Sequence, residues 1–217
     1  MSVMNFKTTN LNIVIPANAN NPSILNPDFL KINNIIAKDV NFIEFISTPP
    51  FSQIKYEDKT SIIVDTEKLN FSDSNSEKLP DESPIPQIAI KYISTLKYVP
   101  YTAVGINFHC IYDFSHMPPT QFILNRFINR EIWKEFHEND TIGLKFAFNK
   151  ANVTHNLEIN PSTVTEKKTN KKYPAIFVKS NFHCIPKDDI LGDIKVYIEQ
   201  WKDRLQELKE TLEKFFF

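Results

Sequence analysis

Short runs of β-forming residues recur along the chain, and only a few polar residues or prolines separate most of them. Eight such runs span residues 10–16, 42–47, 51–56, 60–64, 101–114, 141–148, 154–164 and 172–184. Several connections have hairpin length, which joins antiparallel neighbours, whereas parallel strands need long crossovers. The pattern therefore predicts an antiparallel sheet.

Four further segments carry apolar residues at helical spacing. They span residues 27–36, 88–96, 119–137 and 188–217. The sequence therefore predicts one α+β domain over residues 1–217, with helices on one face of the sheet. The polar stretch 73–86 is the single candidate linker, and loop-length statistics favour a surface loop within one domain over a domain boundary.

Charge and cysteine content narrow the function classes. Lys and Arg number 25 against 26 Asp and Glu, so the net charge of −1 gives no general attraction to nucleic acid or an anionic membrane. No secretion signal and no apolar run long enough for a transmembrane helix is found. Two cysteines are too few for a disulfide scaffold. We therefore predict a cytoplasmic protein with reduced thiols.

The pentapeptide Asn-Phe-His-Cys-Ile occurs twice, at residues 107–111 and 181–185. It contains both cysteines, and thiolate with imidazole is a ligand set that zinc prefers. Successive side chains of a strand point to opposite faces, however, so His109 and Cys110 cannot both face one ion. We therefore predict no metal site and no cofactor, and interpret the two copies as strands of related structural role, which leaves an internal pseudo-repeat open.

The polar residues of the two copies form the candidate ligand-binding set. Alternation sends Cys110 and Cys184 inward and the asparagines and histidines outward. If the two strands are neighbours, the outward residues form a polar cluster that could bind a small polar ligand or a partner's backbone. That set is Asn107, His109, Asn181 and His183.

Two other polar segments have structural interpretations. Asp113, Ser115 and His116 lie close in sequence, but the fold and not sequence proximity assembles a catalytic triad, so a turn is favoured and no catalytic residue is predicted. The four lysines at positions 167, 168, 171 and 172 lie at a predicted hairpin tip. No aromatic or arginine residue is interleaved there, which favours a solvated turn over nucleic-acid binding.

The C-terminal segment has the strongest periodicity, with apolar residues spaced alternately four and three apart. This is the heptad spacing of a coiled-coil seam. A continuous helix over residues 188–217 would be about 45 Å long and project in part beyond its own sheet. The seam either packs on that sheet or binds a partner protein or a second copy. The candidate partner-binding residues are Ile198, Trp201, Leu205, Leu208, Leu212, Phe215, Phe216 and Phe217.

The central run Ile88-Ala-Ile-Lys-Tyr-Ile-Ser-Thr-Leu-Lys-Tyr-Val-Pro-Tyr-Thr-Ala-Val-Gly-Ile-Asn-Phe108 follows Pro50-Phe51-Ser-Gln-Ile-Lys-Tyr56. Together they resemble the helix-then-strand core of a sporadically distributed family of uncharacterised prokaryotic proteins. The family's usual Arg and Tyr after the glycine are replaced here by Ile106-Asn107-Phe108. The resemblance implies a prokaryotic accessory protein of unknown activity, with no functional residues to carry over.

These observations favour a non-catalytic protein-interaction module, or an accessory subunit of a prokaryotic assembly. The alternative is a small-ligand-binding or metal-dependent hydrolytic protein centred on the two Asn-Phe-His-Cys-Ile strands.

Overall fold

Nine strands form one antiparallel sheet in the computed structural model, which describes residues 6–114, 117–128, 142–166 and 170–216. Their order across the sheet is β2-β3-β4-β5-β1-β6-β9-β8-β7. The strands are β1 (Phe6–Pro16), β2 (Phe42–Ser47), β3 (Phe51–Tyr56), β4 (Thr60–Asp65), β5 (Lys68–Asp73), β6 (Val104–Asp113), β7 (Leu144–Lys150), β8 (Val153–Thr165) and β9 (Lys172–Cys184). The predicted antiparallel α+β architecture is confirmed.

Five helices accompany the sheet within the described residues. They are α1 (Pro27–Ile32), α2 (Ile85–Thr95), α3 (Pro119–Phe127), α4 (Ile190–Glu199) and α5 (Trp201–Phe216). Side-chain caps start two of them, because Asn26 accepts from the Phe29 amide and Asp189 from the Gly192 amide. None of the described helices has the length and apolarity needed to cross a membrane. Part of the helix predicted for 119–137 falls in 129–141, outside the described residues.

Strand β5 was missed by the sequence analysis. Only Leu69 and Phe71 are apolar in its six residues, which is a weak strand signal. It forms because it lies between two partners, β4 on one side and β1 on the other. Its formation therefore depends on long-range pairing rather than on local propensity.

The two halves of the chain follow the same course. Each half starts with a central strand (β1 or β6), continues through a helix and a series of antiparallel strands, and ends in helix. The last strand of each half, β5 or β9, pairs with the first strand of the same half. The two first strands pair with each other at the centre of the sheet. This topology is that of an internal pseudo-repeat.

The hydrophobic core lies between the sheet and the helices. Strand residues facing the helices are buried, as in Leu11, Ile13 and Ile15 of β1, while the residues between them are partly exposed. The same alternation runs through the neighbouring strands β6 and β9. One face of the sheet is therefore covered by helices. The other, on which none of the described helices lies, we call the helix-free face.

The C-terminal segment departs from the predicted single helix over 188–217. It forms α4 and α5, which are separated at Gln200. Its apolar seam packs into the core of its own domain, because the seam side chains supply the cover for β6 and its neighbours. Six candidate partner-binding residues are buried in this way, Phe215 is partly buried in the core, and Phe217 lies outside the described residues. The six are Ile198, Trp201, Leu205, Leu208, Leu212 and Phe216.

Replacing Leu208 by Ala tests this assignment. Leu208 is fully buried, so the substitution is expected to lower the free energy of unfolding by about 2–5 kcal/mol. Urea denaturation measures the change. Val196→Ala is the control, because Val196 is 53% exposed on α4 and its loss should change stability by less than about 0.5 kcal/mol. A Leu208→Ala protein as stable as the control would place the seam outside the core.

Candidate functional site

Five asparagines from five neighbouring strands form a polar row across the helix-free face. We call it the asparagine row. Its members, in order across the sheet, are Asn70 (β5), Asn12 (β1), Asn107 (β6), Asn181 (β9) and Asn156 (β8). All five side chains are partly exposed.

Local sequence explains why each asparagine faces outward. In every case both chain neighbours face the core, as Ile106 and Phe108 do around Asn107. Asparagine is disfavoured in strands, so an asparagine at the centre of an apolar run is a signal in itself. The sequence analysis identified Asn107 and Asn181 through the repeated pentapeptide. It missed the other three, which share the pattern of an asparagine between two inward-facing residues but not the pentapeptide.

Hydrogen bonds connect the row. The Nδ2 of Asn181 donates to the Oδ1 of Asn107 over 2.7 Å, and Asn156 donates to Asn181 over 3.4 Å. Asn107 in turn donates to the backbone oxygen of Asn12 over 3.2 Å, and Asn12 donates to Asn70 over 2.8 Å. The five asparagines are therefore connected in one line across five strands, with the backbone oxygen of Asn12 as the link between Asn107 and Asn12.

Two features leave the row with unused hydrogen-bonding capacity. The Oδ1 of Asn12 is buried and has no partner among the described residues. Gly105 opens space beside Asn181, because a Cβ at Gly105 would lie only 3.0 Å from the Asn181 Nδ2. Each asparagine amide offers two donor hydrogens and two acceptor lone pairs. The bonds of Asn181 within the row use one donor and one acceptor, so the rest of its amide remains available to a ligand.

The two pentapeptides lie side by side. Asn107 of β6 is directly opposite Asn181 of β9, so a local two-fold axis between them relates the two copies. The predicted directions are confirmed: Cys110 and Cys184 are buried on the helix side as free thiols, and both histidines are partly exposed on the helix-free face. Burial raises the pKa of both thiols, which disfavours the reactive thiolate.

The same register separates the two histidines. His109 is opposite Lys179, and His183 lies four residues further along β9. At about 3.3 Å per residue their Cα atoms are about 13 Å apart along the strand, too far to coordinate one ion. Burial, and then the nearby Lys179, lower the pKa of His109. The described residues contain no group of three or more histidine, cysteine, aspartate or glutamate side chains placed to hold a metal.

Charged residues on the helix-free face lie mostly in pairs. Three ion pairs are present: Lys55–Glu44 at 2.5 Å, Lys68–Asp65 at 4.0 Å and Lys145–Glu158 at 3.1 Å. Lys179 stands directly opposite Glu158 in the β8–β9 pairing. Cations and anions therefore offset each other locally, and the asparagine row crosses a surface with no dominant charge.

The helix side contains a buried pair that the sequence analysis missed. The Nε2 of His155 and the Oγ of Ser180 are 2.9 Å apart, and the imidazole stacks on Phe182 at 3.9 Å. The pair has the side chains of a base and a nucleophile. Both residues are nevertheless buried, with 5% and 2% exposure, so no substrate reaches them in this structure. The hydrogen bond satisfies two polar groups in the core.

Two adjoining clefts on another part of the surface have a mixed lining. One has a volume of about 470 Å³, the other about 260 Å³, and Asp58, Pro84 and Gln87 line both. Four carboxylates and two ammonium groups line the larger cleft. The excess of carboxylates disfavours an anionic ligand, and no other feature of the lining selects a particular ligand.

Two predicted features cannot be placed. Ser115 and His116, and the lysines at 167 and 168, lie outside the described residues.

The chain matches no protein-family model and no curated protein sequence. The resemblance to a prokaryotic family therefore remains a prediction.

A double-mutant cycle tests the link between the two central asparagines. Replacing Asn107 and Asn181 by Ala, singly and together, is expected to give a coupling free energy of about 1 kcal/mol, because the two amides share a hydrogen bond. Urea denaturation of the four proteins measures it. Asn70 and Asn156 are the control pair. Three strands lie between the strand of Asn70 and the strand of Asn156, so the stability effects of these two substitutions should add within about 0.5 kcal/mol. Equal coupling in both cycles would contradict a direct contact.

The buried histidine predicts a specific loss of stability in acid. Burial lowers the pKa of His155 from 6.5 to about 4. As pH falls through this interval the unfolded chain binds a proton that the folded chain does not bind, so the free energy of unfolding decreases, by about 3 kcal/mol in total. His155→Gln keeps a hydrogen-bonding group near Ser180 but does not titrate. Urea denaturation at pH 7 and pH 4.5 should show a smaller decrease for the variant, and equal decreases would refute the assignment.

Proposed function

We propose that this chain is a non-catalytic protein-interaction module, an accessory subunit of a prokaryotic assembly, that recognises its partner through the helix-free face. One observation carries the proposal: a hydrogen-bonded asparagine row crosses five strands on a face that no described element covers. The C-terminal seam, the surface first predicted from sequence, is buried in the chain's own core. The helix-free face is therefore the better candidate.

The chemistry of the face favours a polypeptide partner. Side-chain amides donate and accept hydrogen bonds, which matches the alternating donors and acceptors of a protein backbone. The paired charges provide no net field, and nucleic-acid binding depends on neutralising phosphates with unpaired cations. Non-obligate protein interfaces are about as polar as the rest of a protein surface. These properties fit a partner protein whose own binding surface is polar and nearly neutral, and which binds reversibly.

The hydrolytic alternative gains no support from the geometry. A shared metal would require His109 and His183 to converge, and the register separates them. A small polar ligand would use the same amides as a protein partner, so the experiment must distinguish the two occupants.

Asn156→Arg tests the face directly. The arginine adds a bulky cation beside Asn181, and should weaken binding of a nearly neutral partner at least tenfold. Gln206→Arg is the matched control. It also replaces a side-chain amide that donates a hydrogen bond, from Gln206 to Glu210 over 3.0 Å, but this amide lies on the exposed side of α5. Thermal unfolding confirms that both variants are folded.

The measurement has two steps. Proteins retained from a host lysate by wild type and Gln206→Arg, but not by Asn156→Arg, are identified by mass spectrometry. The purified partner is then titrated against all three proteins, and hydrogen exchange locates the protected strands. The expected result is weaker binding by Asn156→Arg alone, with protection on β6, β8 and β9. The proposal would be contradicted if all three proteins retained the same partners equally, or if none retained any partner. Binding of a small molecule alone would favour the small polar ligand as the occupant of the face.

A further inference from the structure

The sheet ends in two edge strands of different character. β2 forms one edge and β7 the other. Three large apolar side chains of β2 are strongly exposed: Phe42 at 43%, Ile43 at 65% and Phe45 at 40%. The single charged residue of β2, Glu44, is paired with Lys55 of the adjacent strand. An exposed apolar edge without a free charge is a surface that pairs readily with another strand.

The opposite edge carries the protection that β2 lacks. β7 contains Lys150 and also Lys145, whose side chain stays 70% exposed although it pairs with Glu158, and lysines on an edge strand oppose pairing with a further strand. On its helix side, Phe146 and Phe148 contact Phe215 of α5, with ring centroids 4.9 and 6.3 Å apart. The apolar residues of β7 are therefore covered in part by the chain itself.

The backbone of β2 has hydrogen-bonding groups directed away from the sheet. The Thr48 amide donates to the Phe51 oxygen and closes the hairpin to β3. Bonded and non-bonded pairs alternate along an antiparallel ladder, so Phe45 and Ser47 lie at non-bonded positions relative to β3. Their N–H and C=O groups point outward. A bulge between Phe42 and Glu44 limits the regular edge to residues 44–47.

We infer that β2 pairs in antiparallel orientation with β2 of a second copy of this chain. An extended strand that is apolar on both faces and has no unpaired charge would complement this edge. β2 itself meets both conditions, with Phe45 on the helix side and Ile46 on the helix-free side. A two-fold axis makes the same strand serve as both partners. The short regular edge buries little area, which makes the dimer weak and dependent on concentration.

The dimer would double the helix-free face. The two-fold axis of an antiparallel edge pair runs perpendicular to the sheet, so the helix-free faces of both copies lie on the same side. Two asparagine rows would then belong to one continuous surface, and a partner with two sites would bind with avidity. The inference stands on β2 alone and does not depend on what the asparagine row recognises.

Sedimentation velocity over protein concentrations of about 5–500 µM tests the pairing, a range suited to a small interface. Wild type is expected to pass from monomer to dimer within this range. Ile43→Lys should raise the dissociation constant at least tenfold, because it places a lysine directly beside the pairing segment 44–47 of the unprotected edge. The matched control is Ile32→Lys, which changes an apolar residue on α1 that is also strongly exposed, at 76%, and should dimerise as wild type does.

Hydrogen exchange at the two ends of that range locates the contact. The amides of Phe45 and Ser47 are expected to become protected at high concentration, because they would donate to the second copy. A monomer at all concentrations, equal dimerisation of all three proteins, or a dimer in which these amides stay unprotected would each overturn the inference. Asn156→Arg should leave the dimer unchanged, so failure of the recognition proposal and failure of the pairing can be told apart.

Discussion

The antiparallel pairing of β1 with β6 is the contact on which the rest of the molecule depends. It joins the two halves of the chain at the centre of the sheet and places Asn12 directly opposite Asn107. Each half then adds its last strand beside its own first strand, which brings β5 and β9 to either side of the central pair. The core and the asparagine row both follow from this register. A shift by one residue would turn the asparagines into the core and the apolar residues into solvent.

The two faces of the sheet are therefore built by the same residues in alternation. Burial of Ile106 and Phe108 against the helices forces Asn107 to the other side, and the same holds for its equivalents in the neighbouring strands. The helix layer stabilises the sheet by removing apolar surface from water. The exposed layer contributes less to stability, because its amides exchange water for one another. Residues on the helix-free face can therefore change with less effect on stability than residues on the helix side.

The C-terminal segment shows how a pattern can be recognised correctly while its packing partner stays open. The heptad spacing of the seam indicates an apolar stripe on one side of a helix, and such a stripe packs equally well against another helix or against a sheet. In this chain the sheet lies within reach, and Leu205, Leu208 and Leu212 are buried on it. With the helix seam buried, the exposed edge at β2 is the surface that we infer for self-association.

Sequence alone determined the positions of eight strands and the inward direction of both cysteines, because alternation is a property of neighbouring residues along one strand. It also limited the metal hypothesis, since adjacent residues of a strand face opposite ways. The tertiary structure decided that β6 and β9 are neighbours, that β5 forms between two partners, and that five asparagines align. Pairing between strands joins residues far apart in the chain, as the separation of Asn107 from Asn181 shows, and no local periodicity specifies which strands will meet.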